Sequence, residues 1–341
     1  MSASVRLGFV GLGNWGTKLA QAAQRSGAAT VAAGYARTPA ARQSFAEAFD
    51  CAQAASLDDL LAHDLDGVVV ATPHSTHRAV IEAAAAAGRH VFVEKPLTLS
   101  VADGRAAIAA ARAAGVALQV GHQRRRLAAT RALKRLIDDG DLGMVHMLET
   151  NLSVPANLRP GAGWKSDPGE RPLGGMTGLG VHMVDTLQYL AGRASTVSVH
   201  SRPVLAHSPL DDATMCVISY DSGPVAHLAT SMVVPKVATV AVHGTSGSAW
   251  SEEDGLRLFR QGIDETSRHE VTVEPVDALA EQMAEFSAVI RGTAAPEVDG
   301  AAALEVVAVL EAALRSAERG AQVAVDEVRQ DRGRRTDMRQ D

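Results

Sequence analysis

The stretch Val5-Arg6-Leu7-Gly8-Phe9-Val10-Gly11-Leu12-Gly13-Asn14-Trp15-Gly16 decides the fold. An apolar run, Val5–Val10, leads directly into three glycines spaced GxGxxG. Thr17–Ala23 then reads as a helix. Strand, glycine turn and helix in that order form the setting a dinucleotide-binding fingerprint requires. Gly11 permits the tight turn, Gly13 lets backbone N–H groups reach a pyrophosphate, and Gly16 lets the helix lie close on the strand. The helix start offers unpaired N–H groups and a positive dipole end to the phosphates. Asn14 and Trp15, inside the loop, join the cofactor-contact candidates. The competing reading of the same glycines is an ordinary structural turn.

Outward from this stretch the first 122 residues alternate strand and helix. Thr30–Ala36 reads as a strand and Pro39–Phe49 as a helix with Thr38 as cap before a first-turn proline. Ser56–His63 reads as a short capped helix and residues 66–71 as a buried strand. A helix over Thr76–Gly88, a strand over His90–Val93, a helix over Ser100–Gly115 and a strand over Ala117–Val120 follow. Successive βα units imply a parallel sheet covered on both faces. Its ligands sit at the carboxyl ends of the strands. The informative residues therefore follow each strand: Arg37 and Thr38; Thr72, Pro73 and His74; Glu94, Lys95 and Pro96; and Gly121-His122-Gln123.

The end of the second strand bears on the cofactor. An NAD site usually places Asp or Glu about 20 residues beyond the fingerprint, on the ribose 2′-OH. Here no acidic residue precedes Glu47. Arg37 stands after the strand instead, and a guanidinium suits a 2′-phosphate in charge and geometry. The expectation is NADP or NAD, with NADP favoured; the alternative for Arg37 is a solvated surface residue.

Composition sets the outer bounds. The 341 residues suffice for two domains, and 46% hydrophobic with 21% charged residues is the balance of a globular protein. A net charge of −6 argues against a nucleic-acid partner. Two cysteines, Cys51 and Cys216, are too few for a disulfide framework. With no signal-peptide pattern and no window of about 20 apolar residues, the expectation is a cytoplasmic protein with no membrane contact. Only five lysines occur, at 18, 95, 134, 165 and 236, which makes each more informative.

Four segments together resemble the Gfo/Idh/MocA oxidoreductases, the glucose–fructose oxidoreductase and inositol dehydrogenase family. They are Gly11–Gly16, Ala71-Thr72-Pro73-His74-Ser75-Thr76-His77, Gly88–Leu97 with its Glu94-Lys95-Pro96, and Gly174–Asp185. The resemblance runs to about residue 325. It implies an α/β chain: an N-terminal Rossmann dinucleotide-binding domain, 1–122, then a C-terminal α+β domain with a mostly antiparallel open sheet, 123–325. It also implies that Lys95 reaches the reacting hydroxyl and the nicotinamide ribose, beside Glu94 and a Pro96 that is cis in many members. A lysine at a strand's carboxyl end can polarise a substrate oxygen and stabilise a developing alkoxide; the alternative is a surface lysine paired with Glu94.

After Gln123, the last cofactor candidate, the pattern changes. Arg124-Arg125-Arg126 leads into a basic helix, Ala128–Asp139, read as a solvated face. Short strands are expected over Val197–Arg202, Ala213–Tyr220, Val225–Val233, Val237–His243, Ala249–Ser251 and Leu256–Arg260. Helices are expected over Val276–Ile290 and Ala301–Arg319, the latter with an apolar face through Leu304, Val307, Leu310 and Leu314. Val323–Val325 reads as a last strand and Asp326–Asp341 as a charged, frayed tail.

In the resembled family the motif in Gly174–Asp185 reads D-x-G-x-H-x-x-D, and its first Asp and its His form the catalytic pair. His182 and Asp185 match, whereas the first acidic position is Gly178. His182 can act alone as a base, its ordinary pKa being near 6.5, and Asp185 shares its helix face as a replacement orienter. Buried structural roles are the alternatives for both. Trp164 and Lys165, with Tyr189, are candidate cleft residues, Lys165 as an anion or hydroxyl contact. His74 and His77 have the spacing of a metal pair but lack a third ligand, so no metal is expected; both are assigned to the cofactor edge. The implied activity interconverts a secondary alcohol and a ketone on a sugar, inositol-like polyol or cis-dihydrodiol. A redox-neutral glycosidase holding NAD and a non-catalytic ligand sensor are the alternatives. The resemblance also implies a homodimer or homotetramer packed through the second sheet.

Overall fold

The computed structural model describes residues 4–158 and 163–331. Its first half contains strands β1 (Val5–Val10), β2 (Ala29–Tyr35), β3 (Ala52–Ala54), β4 (Gly67–Val70), β5 (His90–Glu94) and β6 (Leu118–Gly121). Between them lie helices α1 (Asn14–Ser26), α2 (Pro39–Phe49), α3 (Leu57–Ala62), α4 (His77–Ala86) and α5 (Val101–Ala113). All six strands pair in parallel, in the order β3-β2-β1-β4-β5-β6. That is the doubly wound order, with its switch point between β1 and β4. β4 is buried along its whole length, as a strand covered on both faces must be. Ser56 and Ser100 cap α3 and α5 by accepting the Asp59 and Asp103 N–H groups. Thr38 occupies the N-cap of α2 but makes no capping bond; the fixed φ of Pro39 starts that helix.

The second half begins with α6 (Ala128–Asp138), β7 (Val145–Ser153), α7 (Val181–Ala191), β8 (Ala194–Arg202), β9 (Ala213–Tyr220), β10 (Val225–Ser231) and β11 (Val237–Gly244). β12 (Gly247–Glu252), β13 (Arg257–Gly262), β14 (His269–Val271), α8 (Ala278–Ile290), α9 (Gly300–Arg319), β15 (Val323–Ala324) and α10 (Val325–Gln330) follow. Nine strands form one sheet, β14-β13-β12-β11-β7-β10-β9-β8-β15, antiparallel except between β7 and β10. α7 and α9 cover one face. On the other face Met147 opposes Val225 across β7 and β10 while Met215 and Val217 stand out from β9, all exposed.

Three expectations need correction. The buried side of α9 is broader than a Leu304–Leu314 stripe and includes Ala303, Val306, Val309, Ala312 and Ala313. α9 lies between β8 and α5, where a Cβ on Gly104 would sit 2.6 Å from Leu304. A helix held between two layers must be apolar on two sides. The expected frayed tail starts instead as α10, because Val325 and Val328 are buried and Arg329 pairs with Glu305 and Asp326; residues 332–341 lie outside the described residues. Finally, α8 does not stay with the second sheet. It packs on α1, its Phe286 ring 5.7 Å from that of Phe92 on β5, and Arg25 of α1 holds its capping Asp277 at 2.7 Å. α9, which touches β8 of the second sheet and α5 and β6 of the first half, joins the two halves beside the cleft.

Candidate active site

The fingerprint glycines serve distinct geometric ends. Gly11 has φ +91, and a Cβ there would lie 2.5 Å from the Ala71 carbonyl oxygen. One on Gly16 would lie 2.0 Å from the Gly11 carbonyl oxygen, so the first turn of α1 rests directly on the loop. Gly13 differs: a Cβ there would meet nothing within 4 Å. Its missing side chain leaves a cradle in front of a helix start that has no side-chain cap and no acidic residue in its first turn. Free N–H groups, a positive dipole end and open space fit a dinucleotide diphosphate. Asn14 and Trp15 line the adjoining cleft.

At the end of β2, Arg37 and Thr38 are exposed. The Arg37 side chain has no hydrogen bond or ion pair among the described residues. Arg42, which the sequence reading passed over, donates to the Ala36 and Arg37 carbonyls at 2.8 and 3.2 Å, adding a second guanidinium at the strand end.

The turn after β4 supplies Thr72 to the cleft, and its hydroxyl accepts from Thr76 at 2.7 Å. Pro73 is not a wall residue; its carbonyl accepts the Thr76 N–H. His74 lines the cleft, its Nδ1 2.8 Å from the Glu170 carbonyl and its ring edge-on to Trp164 at 5.0 Å. Burial pushes its pKa down to about 3, so it is neutral. His77 is a fastener rather than a contact: Nδ1 faces the Pro96 carbonyl at 2.9 Å and Nε2 the Thr72 carbonyl at 3.1 Å. It ties the β4 turn to the β5 turn. His74 is held through Nδ1 and His77 through both nitrogens, and no group of three or more His, Cys, Asp or Glu side chains placed to hold a metal ion occurs among the described residues.

Glu94 ends β5 and is buried, and neither carboxylate oxygen makes a hydrogen bond of ordinary geometry. Burial pushes its pKa up, opposed by the Lys95 ammonium. Burial likewise pushes Lys95 down, opposed by Glu94. The Lys95–Pro96 bond is cis. Lys95 crosses to the second domain, where its ammonium donates to the Gly178 carbonyl at 3.1 Å.

That carbonyl belongs to a wide π-type turn, Met176–Gly180, which leads into α7. His182, in the first turn of α7, lines the same cleft. Burial, with Lys95, Arg124 and His122 close by, holds its pKa well below the ordinary value. Its Nδ1 is buried without a hydrogen-bond partner among the described residues. Asp185 does not orient it. The Asp185 carboxylate is fully buried and gripped by Arg125, with Nε 3.0 Å from both oxygens and Nη2 at 2.7 Å. His122, pushed down to about 4 chiefly by burial, stands 3.8 Å away. Gln123 and Tyr189 are not among the wall residues; Tyr189 lies against the guanidinium of Arg125 at 5.4 Å.

The basic run is therefore no solvated face. Arg124 holds Asp254, Arg125 holds Asp185, and Arg126 is ringed by Glu281, Glu285 and Glu297. Arg171 was also passed over, because it lies in an aperiodic loop. Its guanidinium fills the space beside Gly178: a Cβ on that glycine would be 2.0 Å from Arg171 Nη2.

The cleft encloses about 360 Å³. Its walls come from the β1, β4 and β5 turns on one side and from Ala156, Trp164, Lys165, Arg171, Gly178, Leu179 and His182 on the other. An ammonium and a neutral imidazole converge beside a diphosphate cradle. Such a fold and cleft define a two-domain dinucleotide-dependent oxidoreductase. Residues 5–122 match the model of the oxidoreductase family with an NAD-binding Rossmann fold, and residues 130–250 match the GFO/IDH/MocA C-terminal domain. The chain belongs to the GFO/IDH/MocA oxidoreductase family. It is 27% identical over 339 residues to an inositol 2-dehydrogenase of Rhizobium meliloti, spanning 94% of this chain and 99% of that one. A 1,5-anhydro-D-fructose reductase of Ensifer adhaerens is 28% identical over 257 residues, 72% of this chain and 75% of its own. The crystal structure of a candidate NADPH-dependent oxidoreductase from Desulfitobacterium hafniense superposes with a TM-score of 0.91 at 28% identity, covering 96% of this chain and 99% of that one.

Proposed function

We propose that this chain interconverts a secondary alcohol and a ketone on a sugar or sugar-like cyclic polyol, using a nicotinamide dinucleotide. The observation that carries the reading is the meeting of Lys95 and His182, from different domains, on one cleft. Gly11, Gly13, Gly16, Asn14, Trp15 and Thr72 would hold the dinucleotide, which supplies the hydride acceptor when bound. His182, kept neutral by burial, accepts the hydroxyl proton as general base. Lys95, already donating one N–H to Gly178, turns another toward the substrate oxygen and stabilises the charge that grows there. Glu94 stays behind Lys95, out of the water, where it sustains the ammonium. Asp185 acts through Arg125 as a structural anchor.

The test is a panel of polyols and dihydrodiols read by nicotinamide absorbance with NAD⁺ and NADP⁺ in parallel. Reduction of the dinucleotide by at least one polyol is the expected result. Dinucleotide binding without turnover of any member would overturn the reading and favour the sensing alternative, which Gly178 motivates. Sugar release without net dinucleotide reduction would favour the glycosidase.

Arg37, whose side chain has no partner among the described residues, with Arg42 beside it, supports NADP over NAD, as does the NADPH dependence named for the Desulfitobacterium protein. Losing one charge-assisted contact costs about 1.5 kcal/mol, about tenfold. Arg37→Ala should therefore raise KM for NADP⁺ about tenfold and leave that for NAD⁺ nearly unchanged. An equal change for both would show that Arg37 reads no 2′-phosphate. The exposed Met147, Met215, Val217 and Val225 of the open sheet support a homo-oligomer formed through that face. The two unpaired cysteines support a reducing, cytoplasmic location.

A further inference from the structure

We propose that the substrate is an acid, a polyol bearing a carboxylate near the reacting carbinol, and that Arg171 and Lys165 bind that carboxylate. The inference rests on the dehydrogenase reading above and narrows its substrate class. Three cationic side chains line the cleft, Lys95, Lys165 and Arg171, against one carboxylate, Glu94, which is buried behind Lys95. Lys95 and Glu94 offset each other. The other two cations have no counter-charge in the cleft among the described residues.

Arg171 is the informative one. Its Nη1 donates to the Lys165 carbonyl at 3.1 Å and its Nη2 approaches the Met232 sulfur at 3.4 Å. Its Nε is buried with no partner, and no carboxylate lies within ion-pair distance among the described residues. The neighbouring shielded guanidiniums of Arg125 and Arg126 all grip carboxylates. Desolvation without a counter-ion is costly, and it lowers the Arg171 pKa with nothing opposing it. Gly178 leaves the space that the guanidinium occupies, so the cation is built into the wall beside the Lys95 contact. Lys165 shares its short loop and makes no ion pair among the described residues; its ammonium lies 5.7 Å from the Trp164 ring. A planar fork and a mobile ammonium on one loop, next to Gly178 and His182, make a receptor for a carboxylate. The dinucleotide diphosphate has its own cradle at Gly13, contributed by the other domain.

The test compares D-glucuronate with D-glucose, and D-glucose 6-phosphate as a third arm, in wild type, Arg171→Gln, Lys165→Gln and Arg171→Lys. Turnover is measured with the preferred dinucleotide, and glucuronate and NADP⁺ binding by calorimetry. We expect wild-type kcat/KM for glucuronate to exceed that for glucose at least about tenfold. Arg171→Gln should collapse that ratio through KM, Lys165→Gln should reduce it, and Arg171→Lys should restore part of it, with NADP⁺ binding held in all three. Equal use of glucose and glucuronate overturns the inference while the dehydrogenase reading stands, and preference for the phosphate overturns it in the same way. If no compound is turned over, binding decides: Arg171-dependent glucuronate binding keeps the carboxylate site and leaves the reaction to the wider panel above, whereas no such binding overturns the inference. Weakened NADP⁺ binding in Arg171→Gln would instead assign the guanidinium to the cofactor.

Discussion

Lys95→Ala should lower kcat about 10²–10³-fold, the usual cost of deleting one donor that serves a developing oxyanion. The lysine side chain crosses from the end of β5 to the carbonyl of Gly178 and is the group that joins both walls of the cleft. Alanine cannot reach the substrate oxygen from there. The diphosphate cradle at Gly13 is untouched, so dinucleotide binding is retained. The loss of charge is felt first by Glu94. Its pKa is raised by burial, and the Lys95 ammonium is the chief influence pulling it back down. Without that ammonium Glu94 takes up a proton, and the variant folds with a neutral carboxyl in place of a bare charge. The sign of the pH dependence follows. A carboxyl whose folded pKa lies above its unfolded value binds more protons in the native state, so stability falls as pH rises through that window. Lys95→Ala should thus be close to wild type in acid and lose ground toward alkaline pH, measured by urea unfolding across a pH series. A variant that folds, binds dinucleotide and turns over at the wild-type rate would remove Lys95 from the chemistry.

What could be read from the residues was what local pattern carries. Val5–Gly16 announces itself because a buried strand, a glycine turn and a helix are each local, and Gly16 answers to the Gly11 carbonyl five residues before it, although Gly11 itself answers to the distant Ala71 carbonyl. Lys95 was legible in part because it follows a buried strand at the ligand-binding edge of the sheet, but its role and that of His182 came from the family resemblance of the motifs around them. Arg171 was not, since nothing in a loop tells which cavity a long side chain will fill, and its neighbour Gly178 reads as a loss until the guanidinium is seen in the vacated space. The Arg124-Arg125-Arg126 run misled because adjacent arginines normally face water. Here one short turn after β6 aims them at three acidic sites, 60 to 171 residues distant in sequence for Arg125–Asp185 and Arg126–Glu297 respectively (185 − 125 and 297 − 126). α10 was hidden by its charge, because two valines and the ion pairs of Arg329 suffice to dock so short a helix. Long-range pairing of charges carries no local signature, and it supplied most of what the sequence reading lacked.

Asp185→Ala should destabilise the protein by about 3–5 kcal/mol, the cost of breaking a buried pair from one side. Asp185 is fully buried, and Arg125 meets it through three hydrogen bonds of 2.7–3.0 Å. Removing the carboxylate leaves a guanidinium shut away from water with the Tyr189 ring, 5.4 Å off, and the more distant charge of Glu297 to receive it. Such a cation–π contact is worth about 0.5–2 kcal/mol and cannot replace the pair. The pair also joins α7 to the turn after β6, so the same bond fixes His182 against the first sheet. The double variant Arg125→Met/Asp185→Leu separates the two contributions. Removing both charges together deletes the desolvation cost along with the attraction, so most of the stability should return. Activity should follow stability: the double variant should recover turnover if Asp185 works only as an anchor. Recovery of the fold with turnover still absent would instead place Asp185 in proton transfer, through His122 at 3.8 Å. A single variant as stable as wild type would show that Arg125 finds water in this pocket and that the ion pair holds nothing in place.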